Sequence, residues 1–337
     1  MISNDYPIDF VIPWVDGSDP AWQEEKRKYS PVYVDDSNSV NRYRDWGLLP
    51  YWFRAVERFT PWVHKIHFIT WGHLPDFLNR EHPKLHIVRH EDYIPREYLP
   101  TFSANPIEMN MHRIEGLSEH FVYFNDDTFI MRPMEKKQFF KKGLPCIYGV
   151  ESPVVPANRE VWQYLLVNDV ITINQHFSKN RMTFATTMKM LSGKYSLTEH
   201  IRAIATKCLF PNDFVGFKNV HAPASFLKST FKTIWQEENE LLKNTTSHRF
   251  RSKEDVNQWL ALWWQVVSGQ FEPYKTDSVI SVADEAHIEK LCKIIQNQSH
   301  DMLCINDPVG DIDFIVLSEK LKMAFETILS EKCSFEK

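Results

Sequence analysis

Asn125, Asp126 and Asp127 follow the apolar, aromatic run Phe121-Val-Tyr-Phe124. Two adjacent carboxylates at the C-terminal end of a buried strand suit a hard divalent cation carrying a diphosphate, because Mg²⁺ takes one or two carboxylates plus phosphate oxygens. The same triplet also suits a turn or a helix cap, where Asn and Asp are favoured for local reasons. Upstream, Glu108 and His112 are four apart and would share a helix face, with Arg113 close to it, although such a pair is commonly just a solvated face. Arg249 and Arg251 are two apart in a segment expected to be extended, so they would lie on one side, and a planar guanidinium suits bidentate phosphate contact. His221 precedes an expected helix, where a lone histidine is more often a cap or core residue than a catalyst.

The elements that must position these groups follow from pattern. Ile8 to Val15 is apolar and β-branched enough for a first strand, interrupted by Asp9. Asp16-Gly17 turns the chain, and Ser18 or Asp19 can cap a helix with Pro20 in its first turn that runs to Lys28. Such a strand, turn and helix either makes an anion site from backbone N–H groups or is a plain β–α connection. After a polar stretch from Asp35 to Asn41, a helix runs through Leu48, Trp52, Val56 and Phe59. Arg44 and Arg54 could reach phosphate or pair at the surface. Strands at Lys65 to Trp71 and Leu85 to Val88 flank a short helix at Leu74 to Leu78. A further helix, capped by Asn105 with Pro106 in its first position, should run to Gly116 before the strand that ends in acid.

Beyond Met134 the pattern changes. Lys136 to Lys142 interleaves basic and aromatic residues, which suits either an anionic membrane surface or a solvated loop with two buried Phe side chains. Helices are expected near Trp162 to Asn168, Thr183 to Leu191, Leu197 to Cys208, Phe226 to Lys243 and Val256 to Val267. The chain ends as strand, helix, strand, helix, closing the fold or forming a small lobe. The fold class is therefore α/β with a mainly parallel central sheet and a helical insertion. Residues 1–133 form the N-terminal half of the catalytic domain, 134–215 the insertion or cap, and 216–337 the part that completes it.

Composition bounds the function. The 337 residues are 43% hydrophobic and 25% charged, an ordinary globular balance. A net charge of −5 argues against a nucleic-acid partner. Aromatic residues reach 14%, with 11 Trp, mostly core material but also suited to sugar rings. Five cysteines without a Cys-x-x-Cys pair fit reduced thiols. The polar N-terminus lacks a signal-peptide plan and no long apolar run follows, so a cytoplasmic location is expected, compatible with peripheral contact at the inner face of the plasma membrane.

Ile8 to Pro20, Arg42 to Asp127, Val220-His-Ala-Pro-Ala-Ser225 and Phe250-Arg-Ser-Lys-Glu-Asp255 resemble the four ordered blocks of the Stealth family. That family comprises bacterial capsular polysaccharide phosphotransferases and the animal enzyme that adds N-acetylglucosamine-1-phosphate to lysosomal glycoproteins. The resemblance implies a nucleotide-sugar-transferase-like fold and active-site roles for Asp9, Glu108, Asp126, Asp127, His221 and Arg251, with His112, Arg113 and Asn125 as donor- or phosphate-binding neighbours. It implies Mg²⁺ or Mn²⁺ on Asp126 and Asp127, and a nucleotide diphosphate-sugar donor. The acceptor would be an oligo- or polysaccharide, lipid-linked forms included. Attack of an acceptor hydroxyl on the phosphorus next to the sugar would release nucleoside monophosphate, with His221 as the base and Glu108 as its rival. The alternatives are a metal-dependent glycosyltransferase releasing nucleoside diphosphate and a non-catalytic carbohydrate-binding protein.

Overall fold

In the computed structural model, residues 6–30, 43–157, 160–308 and 312–337 are described; the polar stretch 35–41 and Arg42 lie outside them. In chain order the elements begin with β1 (Ile8–Trp14), α1 (Pro20–Tyr29), α2 (Leu49–Phe59), β2 (Ile66–Thr70), β3 (Leu85–Arg89), α3 (His90–Tyr93), α4 (Ala104–Met109), β4 (His120–Tyr123) and β5 (Thr128–Ile130). The middle of the chain supplies α5 (Lys136–Phe139), β6 (Phe140–Lys141), β7 (Leu144–Ile147), α6 (Val161–His176), α7 (Phe184–Met190), α8 (Leu197–Leu209) and β8 (Ala224–Leu227). The remainder is α9 (Lys228–Glu237), α10 (Asn239–Ser247), α11 (Gln258–Val267), β9 (Glu272–Pro273), β10 (Ser278–Val282), α12 (Ile288–Gln296), β11 (Met302–Asn306) and α13 (Phe314–Glu326).

The central sheet has the order β3-β2-β1-β4-β8. Its first four strands are parallel and β8 runs antiparallel to β4. Successive side chains of a strand point to opposite faces, and this alternation builds two cores. Phe10, Ile12, Phe68, Val122 and Phe124 pack on the side of α2, α12 and α13, whereas Val11, Ile69, Phe121 and Tyr123 pack on the side of α4, α9 and α11. Helix α2 buries Leu49, Trp52, Phe53, Val56 and Phe59. Full burial of such a side chain is worth about 1.5–3 kcal/mol, so this one stripe anchors the helix.

Four expectations change on contact with the structure. Leu74 to Leu78 is not helical: Pro75 lies within it, and the fully buried Leu78 instead forms a β-bridge with Glu336 near the C-terminus. The helix expected to run from Asn105 to Gly116 is capped by Ser103 and ends at Asn110. There the buried Asn110 amide donates to Pro106 O at 2.8 Å and to Thr246 Oγ1 at 3.1 Å, side-chain bonds that compete with helix continuation. Consequently Glu108 and His112 do not share a face; His112 lies in the separate 3₁₀ turn Met111–Arg113. The segment from Phe226 begins as strand β8, because Phe226 and Leu227 pair with Phe121 and His120. The chain's end makes a second sheet, β10-β11-β5, whose β5 begins directly after Asp127.

Lys136 to Lys142 forms α5 and β6 and buries Phe139 and Phe140 at 1% and 2% exposure, so its aromatic residues are core. Arg54 pairs with Glu336 at 2.7 Å and Glu326 at 3.2 Å, and Arg44 lies over the Phe314 ring. At the start of α1, Asp19 caps the helix by accepting from Trp22 N, and Asp16 accepts from Ser18 N in the preceding turn. Gly17 is needed in that turn because a Cβ there would lie 2.0 Å from the Tyr43 carbonyl oxygen. Among the described residues no helix is long and apolar enough to cross a membrane.

Candidate active site

Four elements converge at the C-terminal end of β4. The alternation of β4 points Tyr123 toward α4, where its hydroxyl donates to Glu108 Oε1 at 3.1 Å; the Gln258 backbone N–H, at the start of α11, donates to Oε2 at the same distance. Beyond β4, Thr128 N and Oγ1 both donate to Asn125 O, fixing the Asn125-Asp126-Asp127 turn. Because Ala224 pairs with Tyr123 in the antiparallel β4–β8 ladder, the chain just before β8 lies beside this turn. His221 Nε2 is thereby hydrogen-bonded to the Asn125 amide at 2.9 Å and stands 3.7 Å from Asp127 Oδ1.

The second sheet supplies the other wall. Ile305 N donates to Asp127 O at 2.9 Å, and the Cys304 thiol donates toward Asp127 Oδ2 at 3.5 Å. Asp307, just past β11, accepts from Trp46 Nε1 at 2.5 Å. Arg251 enters on the loop before α11, and its charge acts on both Glu108 and Tyr43. That loop is tied down twice. Phe102 N donates to Arg249 O at 2.7 Å, and the fully buried Asp255 carboxylate accepts from Asn105 Nδ2 at 2.7 Å and Ser252 N at 3.0 Å while pairing with His248 Nδ1 at 2.6 Å. The Arg249 guanidinium lies against Leu99 O and over the Tyr29 ring.

The electrostatics show what the cluster lacks. Asp126 is exposed at the turn. Desolvation by the protein packed around its carboxylate, and then the Asp127, Asp45 and Asp307 carboxylates, raise its pKa to about 7. Asp127 Oδ1 is buried without a hydrogen-bond partner. Crowded carboxylates with an unsatisfied oxygen fit a divalent cation, and hard oxygen donors suit Mg²⁺ or Mn²⁺. Asp127, His221 and Cys304 also present ligand atoms within 4.8 Å of one another. Burial first, then Asp127, push the Cys304 thiol far above its ordinary range, and a hard ion prefers the carboxylate oxygens to a soft sulfur donor. Burial raises Glu108 to about 7 despite its two hydrogen bonds and the nearby Arg251 and His221. Burial alone would lower His221, but the Asp127, Glu108 and Asp126 carboxylates outweigh it and raise its pKa.

Three of the residues singled out from the sequence lie elsewhere. Asp9 pairs with Phe121 at the opposite end of the parallel strands and is fully buried, bonded to His64 Nδ1 at 2.8 Å, His67 Nε2 at 3.1 Å and Ser118 N at 2.7 Å. Burial would raise its pKa, but these bonds, His67 first, hold it below the ordinary value, so it clamps β1, β2 and the approach to β4 as a carboxylate. His112 packs beside Trp235 and faces Lys228 and Lys232, at the start of α9, which leaves β8 at the His120 end of β4. Burial and then Arg113 push its pKa down to about 3. Arg113 stacks over Trp235 at 4.5 Å. Asp45, Cys304 and Asp307 join the site without having been singled out. Asn306-Asp307 at the end of β11 repeats the amide-acid, strand-end pattern of Asn125-Asp126, the signal that could have found Asp307.

Residues 6–33 match the family model described as Stealth protein CR1, conserved region 1, and residues 42–146 match Stealth protein CR2, conserved region 2. The chain is 40% identical over 341 residues to "Capsular polysaccharide phosphotransferase WcwK" of Streptococcus pneumoniae, covering 100% of both. It is 38% identical to "Receptor polysaccharide phosphotransferase WefC" of Streptococcus oralis, over 98% of this chain and 99% of that one. With "Exopolysaccharide phosphotransferase cps2G" of Lactiplantibacillus plantarum the identity is 35%, over 99% and 98% respectively.

Proposed function

The chain belongs to the Stealth family, and from that membership we propose that it moves a sugar-1-phosphate from a nucleotide diphosphate-sugar to a hydroxyl of a growing surface polysaccharide, releasing nucleoside monophosphate. Its relatives are polysaccharide phosphotransferases, which makes it a transferase of phosphorus-containing groups. The donor is a UDP-linked hexose or N-acetylhexosamine. The observation that carries the proposal is the convergence of Asp126, Asp127 and His221 at the C-terminal end of β4, with β8 and β11 alongside.

Asp126 and Asp127 would hold Mg²⁺ or Mn²⁺, which when bound neutralises the donor diphosphate. Transfer to a hydroxyl demands three things of the protein: a proton acceptor, a cation for the charge that spreads over the phosphoryl oxygens, and fixed geometry. His221, oriented by the Asn125 amide, accepts the hydroxyl proton as the acceptor oxygen bonds to the phosphorus next to the sugar. The bond from that phosphorus to the bridging diphosphate oxygen breaks, and its electron pair leaves with the nucleoside monophosphate. No bond to the anomeric carbon changes, so the sugar keeps its configuration. Arg251 supplies the fixed cation, and Glu108, a buried carboxyl with both oxygens engaged, lies within electrostatic reach of Arg251 and His221.

A screen of nucleotide-sugars with an oligosaccharide acceptor, read by product mass, tests this. One donor should add the mass of a sugar plus a phosphate. Addition of a sugar alone would point to glycosyl transfer and overturn the proposal.

A further inference from the structure

Helix α8 is amphipathic in the inverted sense. The residues it buries are polar: Glu199, which pairs with Lys218 at 3.0 Å and accepts from Tyr148 and Ser196 N, and Thr206, which donates to Glu151 at 3.1 Å. Its outward face carries Leu197, Ile201 and Ile204, at spacings of four and three that align them in one stripe, exposed at 73%, 59% and 58%. Leu209 and Phe210 at its C-terminal end and Phe184 and Met188 on α7 are also exposed. Between α7 and α8 lies a groove lined by Met182, Met190, Leu191, Ile204 and Phe214. A cluster of this kind is far from the scattered single apolar residues of an ordinary surface and marks an interaction face.

Charge identifies what covers it. Between Lys179 and Phe210 the chain carries six bases, Lys179, Arg181, Lys189, Lys194, Arg202 and Lys207, against one acid, Glu199. That acid is buried and ion-paired to Lys218, and Lys179 is likewise buried and ion-paired to Glu151, so neither contributes to the outer field and five bases remain. The segment thus stands strongly positive in a chain whose net charge is −5. Lys207 also lines the groove, and Arg181 is exposed. An apolar stripe flanked by cations is the chemistry of a helix that lies in the headgroup boundary of an anionic bilayer, its apolar side chains among acyl chains and its bases among phosphates. We propose that the α7–α8 face of the insertion docks the protein on an anionic lipid membrane, with α8 lying in the plane of the surface. The docking is peripheral, and it is independent of the transfer chemistry.

Vesicle co-sedimentation of the full chain tests this without reference to activity. The protein should partition onto phosphatidylglycerol/phosphatidylcholine vesicles and far less onto phosphatidylcholine alone. The triple variant Leu197→Gln, Ile201→Gln, Ile204→Gln should reduce that partition at least roughly tenfold with the unfolding temperature unchanged, since these side chains already face water. Arg181→Glu with Lys207→Glu should weaken it and remove its salt sensitivity. Absence of wild-type binding, or equal binding by the triple variant, overturns the proposal. So does a wild-type dimer that the triple variant converts to monomer, which would make a second copy the occupant.

Discussion

His221 and Glu108 are the two candidates to take the hydroxyl proton, and their settings differ. His221 is part-exposed beside Asp127, whereas both Glu108 oxygens are occupied by Tyr123 and Gln258 in a buried site. His221→Ala should therefore lower the single-turnover rate by roughly 100-fold, in line with general-base contributions, with donor affinity and thermal stability little changed. Unaltered single-turnover chemistry in the folded variant would remove His221 from the reaction. Glu108 makes a separate prediction through stability. Its folded pKa of about 7 lies above the ordinary 4.5, so between those values the folded state holds a proton that the unfolded chain has released. Stability contributed by this group is thus present at low pH and is lost as pH rises toward 7, on the order of 3 kcal/mol in full. Glu108→Gln, which can still donate to Tyr123 and accept from Gln258, should flatten the fall in unfolding temperature between pH 5 and 8. An unchanged slope would mean that Glu108 ionises normally.

Among the elements, the loop before α11 determines where Arg251 stands, and Asp255 is its clamp. Removing that carboxylate leaves Asn105, Ser252 and His248 without their buried acceptor, so Asp255→Ala should cost about 3 kcal/mol in denaturant unfolding. It should also lower kcat much as Arg251→Lys does, while KM for the acceptor moves less. A variant that is destabilised but fully active would show that Arg251 is positioned by other contacts. Legibility in the sequence divides along the same line between local and distant causes. β1, α2, α6, α7 and α8 are readable because their apolar periodicity, caps and turn residues lie within a few positions of each other. α4 reads too long because its end depends on Thr246, 136 residues away, and β8 is hidden because its pairing with β4 spans a hundred residues. The same distance explains the site. Asn125, Asp126 and Asp127 announce themselves by type and place, but Cys304 and Asp307 arrive only through the β5–β11 pairing. Asp9 lies in a matching block yet sits at the wrong end of the strands, because block membership does not distinguish the two ends of a sheet.

For the whole molecule, the cleft is closed only when the two sheets meet. The parallel sheet brings the acids and His221, the C-terminal lobe adds Cys304 and Asp307, and the loop clamped by Asp255 adds Arg251. Such a composite site should act as one unit: a cation bound at Asp126 and Asp127 offsets the desolvation, and then the carboxylate repulsion, that raise Asp126 to about 7, so Mg²⁺ or Mn²⁺ should raise the unfolding temperature at pH 8, and Asp127→Asn should abolish that increase. The reaction turns on which bond breaks, and a donor labelled with ³²P in the phosphate next to the sugar reports that bond. The label should enter the polysaccharide while unlabelled nucleoside monophosphate is released; label recovered in released nucleoside diphosphate, with none in the polymer, would overturn phosphoryl transfer.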